Sequence, residues 1–432
     1  MKHTLRAFSI LAAVLLLLCA PCAFAQDWPQ WRGINRDGKA TGFTPPATAP
    51  KEPTRKWQVT VGAGDATPAL LGNKLYVFAR QGDNEVTLCL NAGDGKELWR
   101  DTNAVPAITG PAAREHQGPR SSPAVAGSKV ATIGVKTDVA TRVQALNNAI
   151  DSKVVTLGVL GTLSCLDANT GKVLWRKDEF PGVFPQFYTS SSPLITDGMV
   201  IAFLGGKGNG ALIAYDLTTG TQKWKWAGEA PDYGSPVVAT IAGVKQIVTL
   251  TEKSLVGVAL ADGKLLWQVP CPAERMAYNA ATPIVDGDMV IYSGRGTKAV
   301  KIEKQGNTLA ATALWSNAEA SVSFNTPVLK DGLLFGMSNK GLFFCLDAKT
   351  GKTDWTDTTP HGRGFGAIVD LGQAIIALPA SSELIAFKPS STEYAEVAHF
   401  KVADTPTYTY PIFAGKNIYV KDQQMLTMWA IE

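Results

Sequence analysis

The sequence predicts an all-β fold: an eight-bladed β-propeller of four-stranded antiparallel blades, its ring closed by the two chain ends meeting in one blade. Three observations predict it. A turn-and-tryptophan motif recurs along the chain, a Ser-Pro or Thr-Pro pair stands upstream of each copy, and an unmatched strand lies at either end.

The motif is clearest in four copies: Cys89-Leu-Asn-Ala-Gly-Asp-Gly95-Lys-Glu-Leu-Trp99, Cys165-Leu-Asp-Ala-Asn-Thr-Gly171-Lys-Val-Leu-Trp175, Ala214-Tyr-Asp-Leu-Thr-Thr-Gly220-Thr-Gln-Lys-Trp224 and Cys345-Leu-Asp-Ala-Lys-Thr-Gly351-Lys-Thr-Asp-Trp355. In each, glycine precedes tryptophan by four residues and Asp or Asn precedes it by eight. The Asp or Asn side chain accepts backbone N–H groups at the start of a tight turn. Glycine supplies the positive φ the turn needs, and tryptophan opens the next strand with a large surface to bury. Trp267 keeps Gly263 but has Ala259 at the acidic position, and Trp315 has Ala311 and Asn307 where the others have glycine and Asp or Asn. Trp57, Trp99, Trp175, Trp224, Trp267, Trp315 and Trp355 are thus expected to be the structural residues of the repeat.

Upstream of these copies stand Thr67-Pro68, Ser122-Pro123, Ser192-Pro193, Ser235-Pro236, Thr282-Pro283 and Thr326-Pro327, each leading through a few apolar residues and a Gly or Asp-Gly turn into an alternating strand. Six units end at Trp99, Trp175, Trp224, Trp267, Trp315 and Trp355. A degenerate seventh runs from about Phe365 to Phe400. The eighth begins near Tyr410-Pro411 and stops at Met428-Trp429-Ala430-Ile431, one strand short. Lys56-Trp57-Gln58-Val59 resembles an orphan fourth strand, and joining the two removes the open edge of the array.

Trp99 and Trp175 lie 76 residues apart, against 40 to 49 for later pairs. Within that unit Ser128-Lys-Val-Ala-Thr-Ile-Gly-Val135 nearly repeats as Ser152-Lys-Val-Val-Thr-Leu-Gly-Val159. Between them, about residues 137–151, Val139, Val143, Leu146 and Ile150 fall near helical spacing. One blade carrying an insertion with a duplicated strand is expected.

Residues 1–25 read as a secretory signal: Lys2 and Arg6, an apolar run from Ile10 to Ala20, and a cleavage pattern at Ala23-Phe24-Ala25. A strap follows over 26–54 and the propeller over 55–432. The expected location is the periplasm or the exterior, with a cut after Ala25. No later run approaches the roughly 20 apolar residues of a membrane span. Removing Lys2 and Arg6 from the 41 basic residues leaves a net charge of about +2 against 37 acidic ones. That balance offers no field for nucleic acid. Cys89, Cys165 and Cys345 recur at one repeat position. Neighbouring packed sheets lie about 10 Å apart, too far for a disulfide, so these cysteines and Cys271 are expected to keep their thiols.

The pattern Ala-x-Asp-x-x-x-Gly-Lys-x-x-Trp resembles the tryptophan-docking repeat of the pyrroloquinoline quinone (PQQ)-type propellers, the superfamily of the quinoprotein dehydrogenases and the outer-membrane assembly factor BamB. Asp27-Trp28-Pro29-Gln30-Trp31-Arg32-Gly33, followed by Asn35-Arg36-Asp37-Gly38, is similar to the N-terminus of non-enzymatic bacterial members. The dehydrogenases of that superfamily carry adjacent cysteines over the quinone and Glu, Asn and Asp ligands for calcium. This chain has no Cys-Cys pair, and its acidic residues match no such motif.

Chemistry is otherwise sparse. His116, His361 and His399 fall in separate repeats, without the His-x-His or Cys-x-x-Cys spacing of a metal site. Gly205-Gly-Lys-Gly-Asn-Gly210 runs into the strand-like Ala211-Leu-Ile-Ala-Tyr215, so it reads as a hairpin, not a phosphate loop. The residues just before each innermost strand give Asp65, Arg120, Tyr188, Tyr233, Tyr278, Phe324, Arg363 with Phe365, and Tyr408. They are expected either to ring one mouth of the axial channel as a binding site or to wedge between blades with only their hydroxyls wet.

The function expected is that of a non-catalytic scaffold, a monomeric propeller that binds an envelope protein, with no catalytic residue, metal or cofactor. The resemblance implies a role in outer-membrane protein assembly. The alternative is an oxidoreductase, dependent on PQQ with calcium or directed at sugars or alcohols, that uses the pore mouth.

Overall fold

A computed structural model describes residues 27–40, 43, 52–110, 112–127, 152–272 and 278–431. The expected signal peptide and the helical-spacing segment at 137–151 lie outside these residues. The first copy of the duplicated strand, 128–135, does so too.

Eight four-stranded antiparallel sheets form the ring. Blade 1 comprises β2 (Ala69–Leu71), β3 (Lys74–Gln81), β4 (Asn84–Asn91) and β5 (Glu97–Ala104). Blade 2 is a single sheet whose second strand is β7 (Lys153–Leu157), the second copy of the duplicated segment; Val125 pairs with Val154. Blade 8 takes β30 (Ile412–Ala414), β31 (Asn417–Lys421) and β32 (Met425–Ala430) from one end of the chain and β1 (Thr54–Thr60) from the other. The register runs from Thr54 opposite Ala430 to Thr60 opposite Met425. The glycine-rich segment is a hairpin, with Gly206 paired to Asn209.

The motif works between blades as well as within them. Asp167 Oδ1 accepts the backbone N–H groups of Asn169 and Thr170, and Asp216 and Asp347 build the same turn. Each tryptophan then reaches the turn of the following blade. The indole N–H donates to a backbone carbonyl there: Trp57 to Ala92, Trp99 to Ala168, Trp175 to Leu217, Trp224 to Leu260, Trp315 to Ala348 and Trp355 to Ser390, at 2.8–3.2 Å. Trp267 departs from this pattern. Blade 5, which follows it, lacks the Asp–Gly turn and extends its outer hairpin over Gly296–Gln305 and Thr308–Asn317. Trp267 turns back and donates to buried Gln246 of its own blade at 2.6 Å.

The Ser-Pro and Thr-Pro pairs also join blades. The backbone N–H of Thr67 donates to Ser122 Oγ, that of Ser122 to Ser192, that of Ser192 to Ser235, that of Thr282 to Thr326 and that of Tyr410 to Thr67, all at 2.9–3.0 Å. Cys89, Cys165, Cys271 and Cys345 keep their thiols, and all but Cys271 are buried.

Candidate functional site

The strap runs through the axial channel. Between Asp27 and Ala40 it hydrogen-bonds to all eight blades. Trp28 pairs with Leu70 of blade 1, and Pro29 O accepts from Val125 of blade 2. Arg36 donates to Ser192 O and Pro193 O of blade 3 and to Pro236 O of blade 4. Trp31 donates to Thr282 Oγ1 of blade 5, at 2.8 Å. Arg32 donates to Thr326 O and Pro327 O of blade 6, both at 2.9 Å, and to the Tyr410 hydroxyl of blade 8. Ala40 N–H donates to Asp370 O of blade 7. Arg32 and Arg36 are fully buried, and among the described residues their hydrogen-bond partners are carbonyl and hydroxyl oxygens with no carboxylate among them. Burial brings the Arg36 guanidinium down to about 9. The strap can coil so tightly because Arg32, Gly33, Arg36 and Gly38 all adopt positive φ. A Cβ on Gly38 would come 2.9 Å from Arg32 Nη2.

Above the strap, with Trp31 in its lining, is a cavity of about 350 Å³. Of the residues expected at the mouth, Asp65, Arg120, Tyr233, Tyr278, Phe324 and Tyr408 line it, and so does Phe365. Tyr188 and Arg363 do not. Tyr188 sits four residues before Ser192, with φ +68°, and is buried behind Arg120, whose guanidinium lies 5.6 Å from its ring centroid. Its hydroxyl bonds the backbone of Thr109. The place in blade 3 that corresponds to Tyr233 and Phe324, two residues before the paired hydroxyl, belongs to Ser190, which does line the cavity. Arg363 is exposed, and Phe365 alone of that pair reaches the wall.

The expected residues divide between inter-blade packing and cavity wall. Tyr188 and Tyr233 are inter-blade pegs through their hydroxyls; the Tyr233 hydroxyl accepts the Phe187 N–H at 3.1 Å. Tyr278, Phe324 and Tyr408 form wall, and Phe324 is 42% exposed.

Sequence reasoning missed His116, Phe187, Asn325 and Trp31. His116 follows a helical turn at Ala112–Glu115 in the connection between blades 1 and 2, where no repeat position marks it. Its Nδ1 lies 2.7 Å from Asp65 Oδ2, and its ring centroid is 4.6 Å from that of Tyr408. His361 and His399 also pair with carboxylates, His361 with Asp357 and His399 with Glu383 and Glu396, and neither histidine is in the lining. Among the described residues no three His, Cys, Asp or Glu gather in a metal-binding group, and no helix is long and apolar enough to cross a membrane.

Comparison with known proteins places this geometry. A family model described as outer membrane protein assembly factor BamB matches residues 126–357. BamB of Burkholderia pseudomallei (strain K96243) is 24% identical, over 85% of this chain and 85% of that protein. The quinohemoprotein alcohol dehydrogenase of Comamonas testosteroni is 35% identical over 81 residues, which span 18% of this chain and only 11% of that enzyme. In structure, BamB from Moraxella catarrhalis aligns with a TM-score of 0.60 at 14% identity, covering 88% of this chain and 99% of that one. The Comamonas dehydrogenase aligns at 0.65 and 13% identity, covering 94% and 80%. The structural likenesses carry the propeller fold alone. The family model covers more than half of the sequence, and on that ground the chain belongs to the PQQ-repeat propeller family described as outer membrane protein assembly factor BamB.

Proposed function

We propose that this chain is a non-catalytic propeller scaffold of the bacterial envelope that docks a protein partner over the mouth of its axial cavity, in the service of outer-membrane protein assembly. One observation carries the reading. The strap, bonded to every blade, gives a rigid cup whose rim presents aromatic rings to solvent, Phe324 most openly. Exposed aromatics on a rigid frame are what protein-docking hot spots are made of.

The lining suits a quinone cofactor poorly. PQQ is a planar tricarboxylate, whereas among the described residues Arg120 is the one cationic guanidinium in the lining and the Asp65 carboxylate stands beside it. Calcium takes about six to eight oxygen ligands, and Asp65, already bonded to His116, is the sole carboxylate in the wall among the described residues.

A second reading, an oxidoreductase acting at the same mouth, draws on one feature: the His116–Asp65 pair has the geometry of an oriented general base. Site-specific photocrosslinking in native envelopes separates the two. A crosslinker at Phe324 is expected to capture an envelope protein, while one at the outer-rim residue Leu98 is not. Absence of capture at Phe324, with a bound-quinone spectrum and alcohol or aldose oxidation after addition of PQQ and Ca²⁺, would overturn the scaffold reading.

A further inference from the structure

The aromatic wall is continuous except on one side. From Phe187 through Tyr233, Tyr278, Phe324 and Phe365 to Tyr408, successive ring centroids lie 4.3–6.4 Å apart. The interruption is polar and is filled by Asp65, His116 and Arg120. Charge there is unevenly satisfied. Asp65 is bonded to His116, whereas Arg120 gives Nη2 to the backbone carbonyl of His116 at 3.1 Å, and its buried Nε meets no acceptor. Burial also holds the guanidinium below its ordinary value. Buried polar atoms are rarely left unpaired, and each one in a native fold calls for a partner.

We infer that the cavity admits a carboxylate borne on an aromatic or other bulky apolar group. The carboxylate answers Arg120, and the apolar body lies along the Tyr278–Phe324–Phe365 wall. Planar guanidinium–carboxylate pairing is the strongest neutralisation available to Arg120, and stacking with aromatic rings suits the body. Ligand pockets commonly pair such an apolar lining with a few placed polar groups. This assignment rests on the binding role proposed for the mouth and names the chemistry admitted there. A free acylated amino acid and the C-terminal residue of a polypeptide share that chemistry.

Calorimetric titration of the full chain tests it with three probes: N-acetyl-phenylalanine, its C-terminal amide, and a hexapeptide ending in phenylalanine with a free carboxylate. The free acid is expected to bind at least about tenfold more tightly than the amide. Arg120→Gln should abolish that preference, and Phe324→Ala should weaken acid and amide alike. Thermal melts of both variants establish that they are folded. If the hexapeptide matches or exceeds the small acid, the source is a chain terminus; if the small acid alone binds, the source is a free metabolite. Equal binding of acid and amide, no binding of either acid, or an undiminished preference in folded Arg120→Gln would overturn the assignment. Because these probes are small, failure here leaves the crosslinking result on partner docking standing on its own.

Discussion

The indole of Trp99 lies over Gly171 of the following blade, so closely that a Cβ on that glycine would come within 2.5 Å of the ring. Gly95 under Trp57, Gly220 under Trp175, Gly263 under Trp224 and Gly351 under Trp315 repeat the relationship. The glycine and tryptophan of one motif therefore serve two different junctions. Gly171→Ala should lower stability by about 2–4 kcal/mol, combining backbone strain at φ +74° with displacement of the indole. Gly161→Ala, at φ +95° with open space around it, isolates the strain and should cost only about 1 kcal/mol. Urea unfolding of both variants checks the difference. Trp224→Ala, removing a buried indole, should cost roughly 3–5 kcal/mol.

Arg36 joins the strap to blades 3 and 4 through three backbone carbonyls. Arg36→Ala leaves those buried acceptors unpaired and should destabilise by on the order of 3 kcal/mol. Arg36→Lys restores the charge without the planar fork and should recover only part of the loss. Denaturant midpoints, read with the slope of the transition, give the measurement.

Tyr233 and Tyr278 neighbour each other in the wall but differ in what their hydroxyls do. Tyr233→Phe removes the acceptor of the Phe187 N–H and should cost about 1 kcal/mol. Tyr278→Phe removes no hydroxyl bond recorded in the structure and should leave the melting temperature unchanged. Paired calorimetric scans distinguish them.

Stability should depend on pH through two buried carboxyls. Burial raises Glu85 to about 7, against the pull of the Val159 N–H, Arg80 and Arg176, and raises Asp232 to about 6. Between their unfolded and folded values the native state holds more protons than the unfolded chain, so stability falls as pH rises from about 4 to 7. Glu85→Gln should flatten that slope. Lys421, fully buried and lowered to about 8, acts in a higher window: there the unfolded chain holds more protons, and stability recovers as pH rises from about 8 to 10. Chemical unfolding across a pH series reads both limbs.

The blade count, the single sheet between Trp99 and Trp175 and the joining of β1 to β32 were legible because each rests on local turn chemistry repeated at regular intervals. The docking of tryptophan on the next blade's glycine was not, since spacing within a motif says nothing about which copy it touches. At the mouth, position relative to the paired hydroxyl carries part of the information. Asp65, Arg120, Tyr233, Phe324 and Tyr408 stand two residues before it or its equivalent and reach the cavity. Tyr188 and Tyr278 both stand four before, yet Tyr278 lines the cavity while the Tyr188 hydroxyl is tied to the Thr109 backbone, a difference that spacing does not reveal. His116 and Trp31 come from a connection and from the strap, where no repeat exists to align them. The two arginines of the strap were visible as a motif, but their carbonyl and hydroxyl partners are scattered over four blades and leave no trace in local sequence.

The pairing of Thr54–Thr60 with Met425–Ala430 also sets an order of events in folding. Those strands are separated by nearly the whole chain, so their contact is among the slowest to form. The strap needs partners on all eight blades and is complete only after the last of them is in place. A newly synthesised chain therefore passes through a stage with seven blades, an open edge and an unfilled axis, the stage at which edge-to-edge association threatens. Once seated, the strap reverses the situation: no blade can leave without breaking the bonds that tie it to the centre, and slow assembly becomes slow disassembly.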